Sequence, residues 1–189
     1  MHTMEDLNKI VNSCRKCELY QGRAKSVFGQ GNQNAVIMFI GEGPGYHEDQ
    51  QGLAFVGPAG QLLTKAIEGI GLKRDDVYIA NMVKCRPPNN RNPLKEEIQA
   101  CITYLRWQVK LIEPQIIVCL GSISATSIID GDLKITRDRG KWFLRKGVWI
   151  MPTYHPSAVL RDELKKKPFW EDFKELKRKY NEININVKG

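Results

Sequence analysis

At 189 residues, 42% of them hydrophobic, the chain can bury one core without help from a metal or disulfides. Lysine plus arginine exceed aspartate plus glutamate by 29 to 21, a formal charge of +8 with a pI near 9.3; this attracts polyanions, although a solvated tract such as Lys165-Lys166-Lys167 would also produce it. No apolar run is long enough to cross a bilayer, and Met1 to Ile10 has no basic segment followed by an apolar one, so a cytoplasmic protein with a single domain over 1–189 is expected.

Met4 to Val11 is a short amphipathic segment that runs into a loop bearing Cys14 and Cys17. After Gly29-Gln30-Gly31, the unbroken apolar run Ala35 to Ile40 predicts a strand buried on both faces. It ends in a glycine-rich loop, Gly41 to Gly45, and a helix is expected from about Pro58 to Glu68, stopped at Gly69 and Gly71. Val77 to Ala80 reads as the second strand, followed by the loop Cys85-Arg86-Pro87-Pro88-Asn89-Asn90. Asn92 as N-cap and Pro93 at the first helical position signal the next helix, with Glu96 and Glu97 favouring its dipole. Leu94, Ile98, Cys101, Ile102, Leu105 and Ile112 recur at helical spacing and predict its buried face, and Glu113-Pro114 ends it. Ile116 to Leu120 is the third strand, turned by Gly121 into a helix through about Ile129. The pattern from Trp142 to Met151 suggests a small hairpin feeding a fourth strand, Val148 to Met151, and then the loop Tyr154-His155-Pro156-Ser157. A last helix from Phe169 to about Tyr180 would carry Phe169, Phe173, Leu176 and Tyr180 on one side.

Strands alternating with helices imply a three-layer α/β/α sandwich around a central four-stranded parallel sheet. Such sheets bind ligands beyond the carboxyl ends of their strands. The polar loops Gly41–His47, Asn81–Asn90 and Tyr154–Ser157 leave the strands at those ends and should meet at one crevice.

An odd count of five cysteines argues against a disulfide framework and turns attention to a metal or cluster site. Cys14 and Cys17 form C-x2-C, Cys85 follows the second strand, and Cys101 projects from a helix. Four thiolates can hold zinc tetrahedrally or a [4Fe–4S] cluster. Paired zinc knuckles would show C-x2-C twice, whereas fifteen residues separate Cys85 from Cys101, which favours the larger cluster. Cys101 as a small buried hydrophobe and Cys85 as an incidental loop thiol are the plainer alternatives. Cys119, inside an apolar strand, reads as core.

Glycines from Gly41 to Gly57 expose backbone N–H groups and let a planar ligand approach, but match neither G-x-G-x-x-G nor a Walker loop. Glu42 or Glu48 could position a water. Phe55 could present a stacking face to a base, or simply pack in the core. Asn81 could read an imide edge with its adjacent donor and acceptor, or serve as a strand-end turn residue. His155 could donate a hydrogen bond to a developing oxyanion, or be structural.

Gly41-Glu42-Gly43-Pro44-Gly45 with Glu48-Asp49, Gly52 and Phe55-Val56-Gly57-Pro58-Ala59-Gly60 resembles the first motif of the family-4 uracil-DNA glycosylases. Val77 to Pro88 resembles the second, with Asn81 and Cys85 inside it, and His155-Pro156-Ser157-Ala158-Val159-Leu160-Arg161 resembles the third. The resemblance runs from about Cys14 to Arg161. It implies a Rossmann-like domain that flips deoxyuridine out of single- or double-stranded DNA and hydrolyses the bond from uracil to deoxyribose. By the same resemblance, Phe55 stacks on uracil, Asn81 recognises its N3–O4 edge, and His155 hydrogen-bonds O2 and stabilises the departing anion. Glu42 and Gly43 line the pocket and the water site. Ser157 to Arg161 lie near the minor groove with Leu160 a candidate wedge, while Lys84 and Arg86 are basic neighbours of the DNA. Cys14, Cys17, Cys85 and Cys101 fall where the family ligates a [4Fe–4S] cluster.

The best-known branch of the wider superfamily has a water-orienting aspartate where Gly43 stands and a thymine-blocking tyrosine where Gly45 stands. With glycine at both, Glu42 is the first choice for orienting water and Glu48 the second. No motif carries a catalytic lysine, so a monofunctional enzyme that leaves an abasic site is expected. A relative that becomes covalently trapped on uracil-DNA carries an additional basic, histidine-bearing loop; here the histidines are His2, His47 and His155. A non-catalytic nucleic-acid-binding module with a structural metal would explain charge and cysteines but not Phe55, Asn81 and His155 at one crevice. A monomer is expected, and nothing in the sequence specifies a protein partner such as a sliding clamp.

Overall fold

The computed structural model describes residues 3–187, and His2 lies outside them. In chain order the elements are α1 Met4–Asn12, α2 Leu19–Gly22, β1 Gln30–Gly31, β2 Ile37–Gly41, α3 Tyr46–Gln51, α4 Pro58–Gly69, β3 Tyr78–Asn81, α5 Lys95–Ile112, β4 Ile116–Leu120, α6 Ser122–Ile128, α7 Ile135–Asp138, β5 Phe143–Arg145, β6 Val148–Thr153, α8 Pro156–Arg161 and α9 Lys166–Val187. Single 3-10 turns at Arg74–Asp76, Pro88–Asn90 and Glu163–Lys165 join them.

The strands form one sheet in the order β1-β3-β2-β4-β6-β5. The four inner strands, β3-β2-β4-β6, run parallel, in agreement with the reading from sequence. The sheet has six strands rather than four because short antiparallel strands close both edges: β5 is the first arm of the predicted hairpin, and β1 pairs Gln30 with Ile79. From β2 the chain moves outward to β3, then crosses back over β2 to β4. The reversal opens a crevice at the carboxyl ends of β2 and β4.

Successive side chains of each inner strand face opposite ways, so both faces need cover. Ile37, Phe39, Ile79, Val118 and Met151 pack with Leu63 and Ile67 of α4 and with Phe169, Phe173 and Leu176 of α9. Met38, Ile40, Ala80, Ile117 and Cys119 pack with Met4 of α1, Leu105 and Ile112 of α5, and Ala125 of α6. These are the three layers. Cys119 is core, as its strand position implies.

Two readings at α5 are corrected. The helix begins at Lys95 with Leu94 as N-cap, not at Pro93 with Asn92 as cap. Glu97 decides this: its carboxylate accepts from the Leu94 N–H and takes the Arg91 guanidinium in two hydrogen bonds, which holds Arg91 to Asn92 as extended loop. Leu94 accordingly stands exposed, while Cys101, Leu105 and Ile112 are buried as predicted. Tyr46–Gln51, read as open glycine-rich loop, contains the short helix α3.

Candidate active site

A cavity of about 280 Å³ opens at the carboxyl ends of the strands. Glu42 and Gly43 follow β2, Asn81 ends β3, and His155, Ser157 and Arg161 follow β6; all of them line it together with Phe55. The three loops therefore converge as the strand order requires.

Asn81 is fully buried, and its Oδ1 has no hydrogen-bond partner, which sets it apart among buried side-chain polar atoms of the described residues. A buried unpaired acceptor costs about 1–3 kcal/mol, so a cavity that keeps one suits a ligand that brings a donor. Phe55 holds an uncommon positive φ of 51°, and its ring lies 5.7 Å from the His155 ring at 34°. Backbone strain of this kind costs on the order of 1–3 kcal/mol and clusters at ligand sites.

His155 caps α8. The Ser157 N–H donates to its Nδ1 at 3.1 Å, and the Ser157 hydroxyl stands 2.7 Å from the same atom. A nitrogen that accepts from a backbone N–H carries no proton, so Nε2–H is the ring's donor. Burial, and next the positive charge of Arg161, lower its pKa to about 4, against a weaker upward pull from Glu48. The imidazole is neutral near pH 7. Burial raises the Glu42 carboxyl above its usual range, partly opposed by the Ile123 N–H, which donates to Oε1 at 3.3 Å, and by Arg161.

Glu48, the second choice for orienting water, lines the cavity, and backbone groups engage both of its oxygens. One of its oxygens accepts from the Val56 and Gly57 N–H groups, both at 2.8 Å, and the other from the Gly45 N–H at 3.2 Å. It ties the two halves of the glycine-rich loop together. Side chains at the two distinctive glycines would collide with neighbours: a Cβ on Gly43 would lie 2.9 Å from Val83 Cγ2, and one on Gly45 would lie 2.8 Å from Glu48 Oε2. Neither an aspartate nor a tyrosine fits there without displacing these groups.

Among the basic residues, Arg161 is exposed at the cavity rim and Leu160 stands 47% exposed beside it. Arg86 lies over the exposed Tyr46 ring at 5.1 Å and donates to Asn90 Oδ1. Lys84 contradicts its sequence reading as a DNA contact. It is 1% exposed, and its Nζ donates inward to the Asn81 carbonyl at 2.9 Å and to Gln108 Oε1 at 2.7 Å.

The cavity is also lined by Asn90, which ends the second crevice loop, and by Arg91, Asn92 and Pro93, which sequence reasoning did not place there. Asn89 and Asn90 both have φ of 54°, a conformation asparagine tolerates better than most residues. The Asn-Asn dipeptide between prolines was the available signal.

Cys14, Cys17, Cys85 and Cys101 line one small cavity between α1 and α5, together with Arg23 and Lys84. Arg23 donates to Cys85 Sγ at 3.1 Å, and the Lys84 N–H to Cys101 Sγ at 3.3 Å. Among the described residues, no three Cys, His, Asp or Glu side chains stand close enough to hold a single metal ion.

The model of the uracil DNA glycosylase superfamily matches residues 28–177. The chain is 46% identical to a type-4 uracil-DNA glycosylase of Sulfurisphaera tokodaii over 94% of its own length and 84% of the relative's. It is 44% identical to that of Archaeoglobus fulgidus, covering 93% of this chain and 92% of the relative. To the type-4 enzyme of Thermotoga maritima it is 45% identical, covering 86% and 88%. With loops, cavity and matched span in agreement, the chain belongs to the uracil-DNA glycosylase superfamily and, within it, to the type-4 uracil-DNA glycosylases.

Proposed function

We propose that this protein excises uracil from DNA as a monofunctional glycosylase, working as a monomeric single-domain enzyme in the cytoplasm. The observation that carries the reading is the buried, unpartnered Asn81 Oδ1 in a cavity shared with Phe55 and His155. Uracil offers the missing donor at N3–H. An amide can at the same time donate to O4, which cytosine, with an amine at that position, cannot satisfy. Phe55 supplies a face for the ring, and a flipped base pays its unstacking cost in part through such contacts.

The N1–C1′ bond breaks with its electron pair passing to uracil, and positive charge develops on the sugar. Neutral His155 donates from Nε2 to uracil O2, where the negative charge gathers. A preorganised donor in a partly desolvated site stabilises that charge without reorganising. Water then adds to C1′, its proton passes to the Glu42 carboxylate, and the uracil anion takes a proton from solvent as Glu42 gives its own up, leaving an abasic deoxyribose and neutral uracil. Glu48, with both oxygens engaged by backbone N–H groups, is assigned to holding the loop. No lysine lines the cavity among the described residues, which fits hydrolysis rather than an imine route. Ser157, Arg86 and Arg161 are assigned to the DNA backbone, and exposed Leu160 to the space the base leaves.

The four cysteines are proposed to hold a [4Fe–4S] cluster. Four thiols around one cavity match its donor set, and C-x2-C occurs once rather than as the paired knuckles of a zinc site. When bound, the cluster supplies a cross-link between the N-terminal loop, the loop after β3 and α5.

An end-labelled oligonucleotide with one deoxyuridine, incubated with the protein and then treated with alkali, tests the function. Breakage only after alkali, and only with uracil rather than thymine, is expected. Binding without release of uracil would replace the enzyme with a nucleic-acid-binding module.

A further inference from the structure

Lys84 is a buried cation without a buried anion. Its ammonium contacts two neutral oxygens, those of Asn81 and Gln108. Gln108, itself fully buried, is fixed in turn by donating to the Phe28 carbonyl at 2.8 Å and the Tyr78 hydroxyl at 3.2 Å. No carboxylate pairs with Lys84 among the described residues; the charged or chargeable group that bears on it is the Cys101 thiol. An ammonium taken out of water costs several kcal/mol unless an opposite charge compensates it, so the arrangement calls for negative charge on the cysteine side.

The same residue reaches both centres of the molecule. It lines the cavity of the four cysteines, its backbone N–H donates to Cys101 Sγ, and its Nζ holds the carbonyl of Asn81. We infer that Lys84 is the counter-charge of the four-cysteine centre and at the same time a positioning residue for Asn81, so that filling the centre steadies the base-reading edge. This rests on the [4Fe–4S] reading above: four thiolates around such a cluster would carry net negative charge, which a lysine beside Cys101 offsets. With the centre filled, the ammonium has its counter-charge, and its hydrogen bond holds the end of β3. With the centre empty, the lysine is an uncompensated charge in the core.

Lys84→Met tests this, because methionine fills the space of the stem without charge or donor. Iron and sulfide analysis of wild type and variant comes first. In iron-loaded protein the variant should show a lower cluster reduction potential, since a nearby cation favours the added electron. Its KM for uracil-DNA should rise with kcat little changed, the pattern of lost binding rather than lost chemistry. In iron-free protein the order of stability should reverse, with Lys84→Met melting at or above the wild-type Tm because an unpaired buried charge has been removed. An iron-loaded variant with unchanged potential and unchanged KM overturns the role of Lys84 and leaves the cluster in place. A variant that cannot retain iron where wild type does supports the counter-charge role, and its Tm is then read on the iron-free form. Wild-type protein without iron, prepared anaerobically, overturns the cluster reading and this inference with it.

Discussion

Asn81, His155 and Glu42 show how little a residue's identity fixes until its neighbours are in place. Each has a commonplace structural role open to it in the sequence. In the fold, Asn81 keeps an acceptor unpaired, His155 is held as the Nε2–H tautomer by Ser157, and Glu42 is raised by burial. Asn81→Asp replaces the amide donor by a carboxylate oxygen that accepts from cytosine's amine. Slow but measurable release of cytosine is expected from that variant, together with weaker uracil release; no cytosine release would count against Asn81 as the edge reader. His155 also carries a stability signature. Its folded pKa, about 4, lies below the ordinary value of 6.5, so the fold binds fewer protons than the unfolded chain between those values. The contribution of the neutral ring is complete above pH 6.5 and is lost as pH falls toward 4. Thermal unfolding between pH 7 and pH 4 should therefore fall less steeply in His155→Gln than in wild type.

Elements outside the sequence motifs hold the motif residues in place. The end of β6 is the clearest case. The Thr153 hydroxyl donates to Asp172 of α9 at 2.6 Å, and Arg139 grips the same carboxylate through Nε at 3.0 Å and a terminal nitrogen at 2.7 Å. The Thr153 carbonyl accepts from Gly121 at the end of β4. His155 follows two residues later, so a buried network anchored on the C-terminal helix sets the height of the loop that carries it. Thr153→Val keeps the shape and removes the hydroxyl. A loss of about 1–3 kcal/mol in urea unfolding is expected for one buried hydrogen bond to a carboxylate, with a fall in kcat larger than any change in KM. Equal kcat in variant and wild type would separate α9 from catalysis. On the other side of the cavity, the Arg91–Glu97 pair sets both the start of α5 and the asparagine wall. The sequence reading placed the cap at Asn92 because it weighed cap preference alone and not the pair between Arg91 and Glu97, six residues apart.

At the scale of the whole molecule, a formal charge of +8 favours encounter with DNA, and the cavity holds the residues proposed to read the base. Arg161 is where the two meet: it is exposed at the rim, yet it bears on both Glu42 and His155. If it also neutralises one phosphate, Arg161→Ala should reduce the slope of log affinity against log salt by about 1 and weaken binding of uracil-DNA and ordinary DNA alike. Titration of both DNAs over a range of salt checks this, and an unchanged slope would confine Arg161 to the electrostatics of the cavity. Among the described residues no helix is long and apolar enough to cross a membrane, in keeping with the hydropathy of the sequence.

The sequence by itself determined the four parallel strands, the helices between them and the three loops at their carboxyl ends. These follow from apolar runs and glycine or proline punctuation, which are local properties. It also determined the family, because the motifs keep Gly41 to Gly60, Asn81 and His155 at recognisable spacing. Tertiary structure decided what depends on how the backbone turns and packs: that Lys84 turns inward to Asn81 and Gln108, that Glu48 ties the glycine-rich loop together through backbone N–H groups, and that a larger side chain at Gly43 or Gly45 must displace Val83 or Glu48. Charge and hydrogen-bonding capacity are written in the residue. Whether they face solvent, substrate or another buried group is set only when the layers pack.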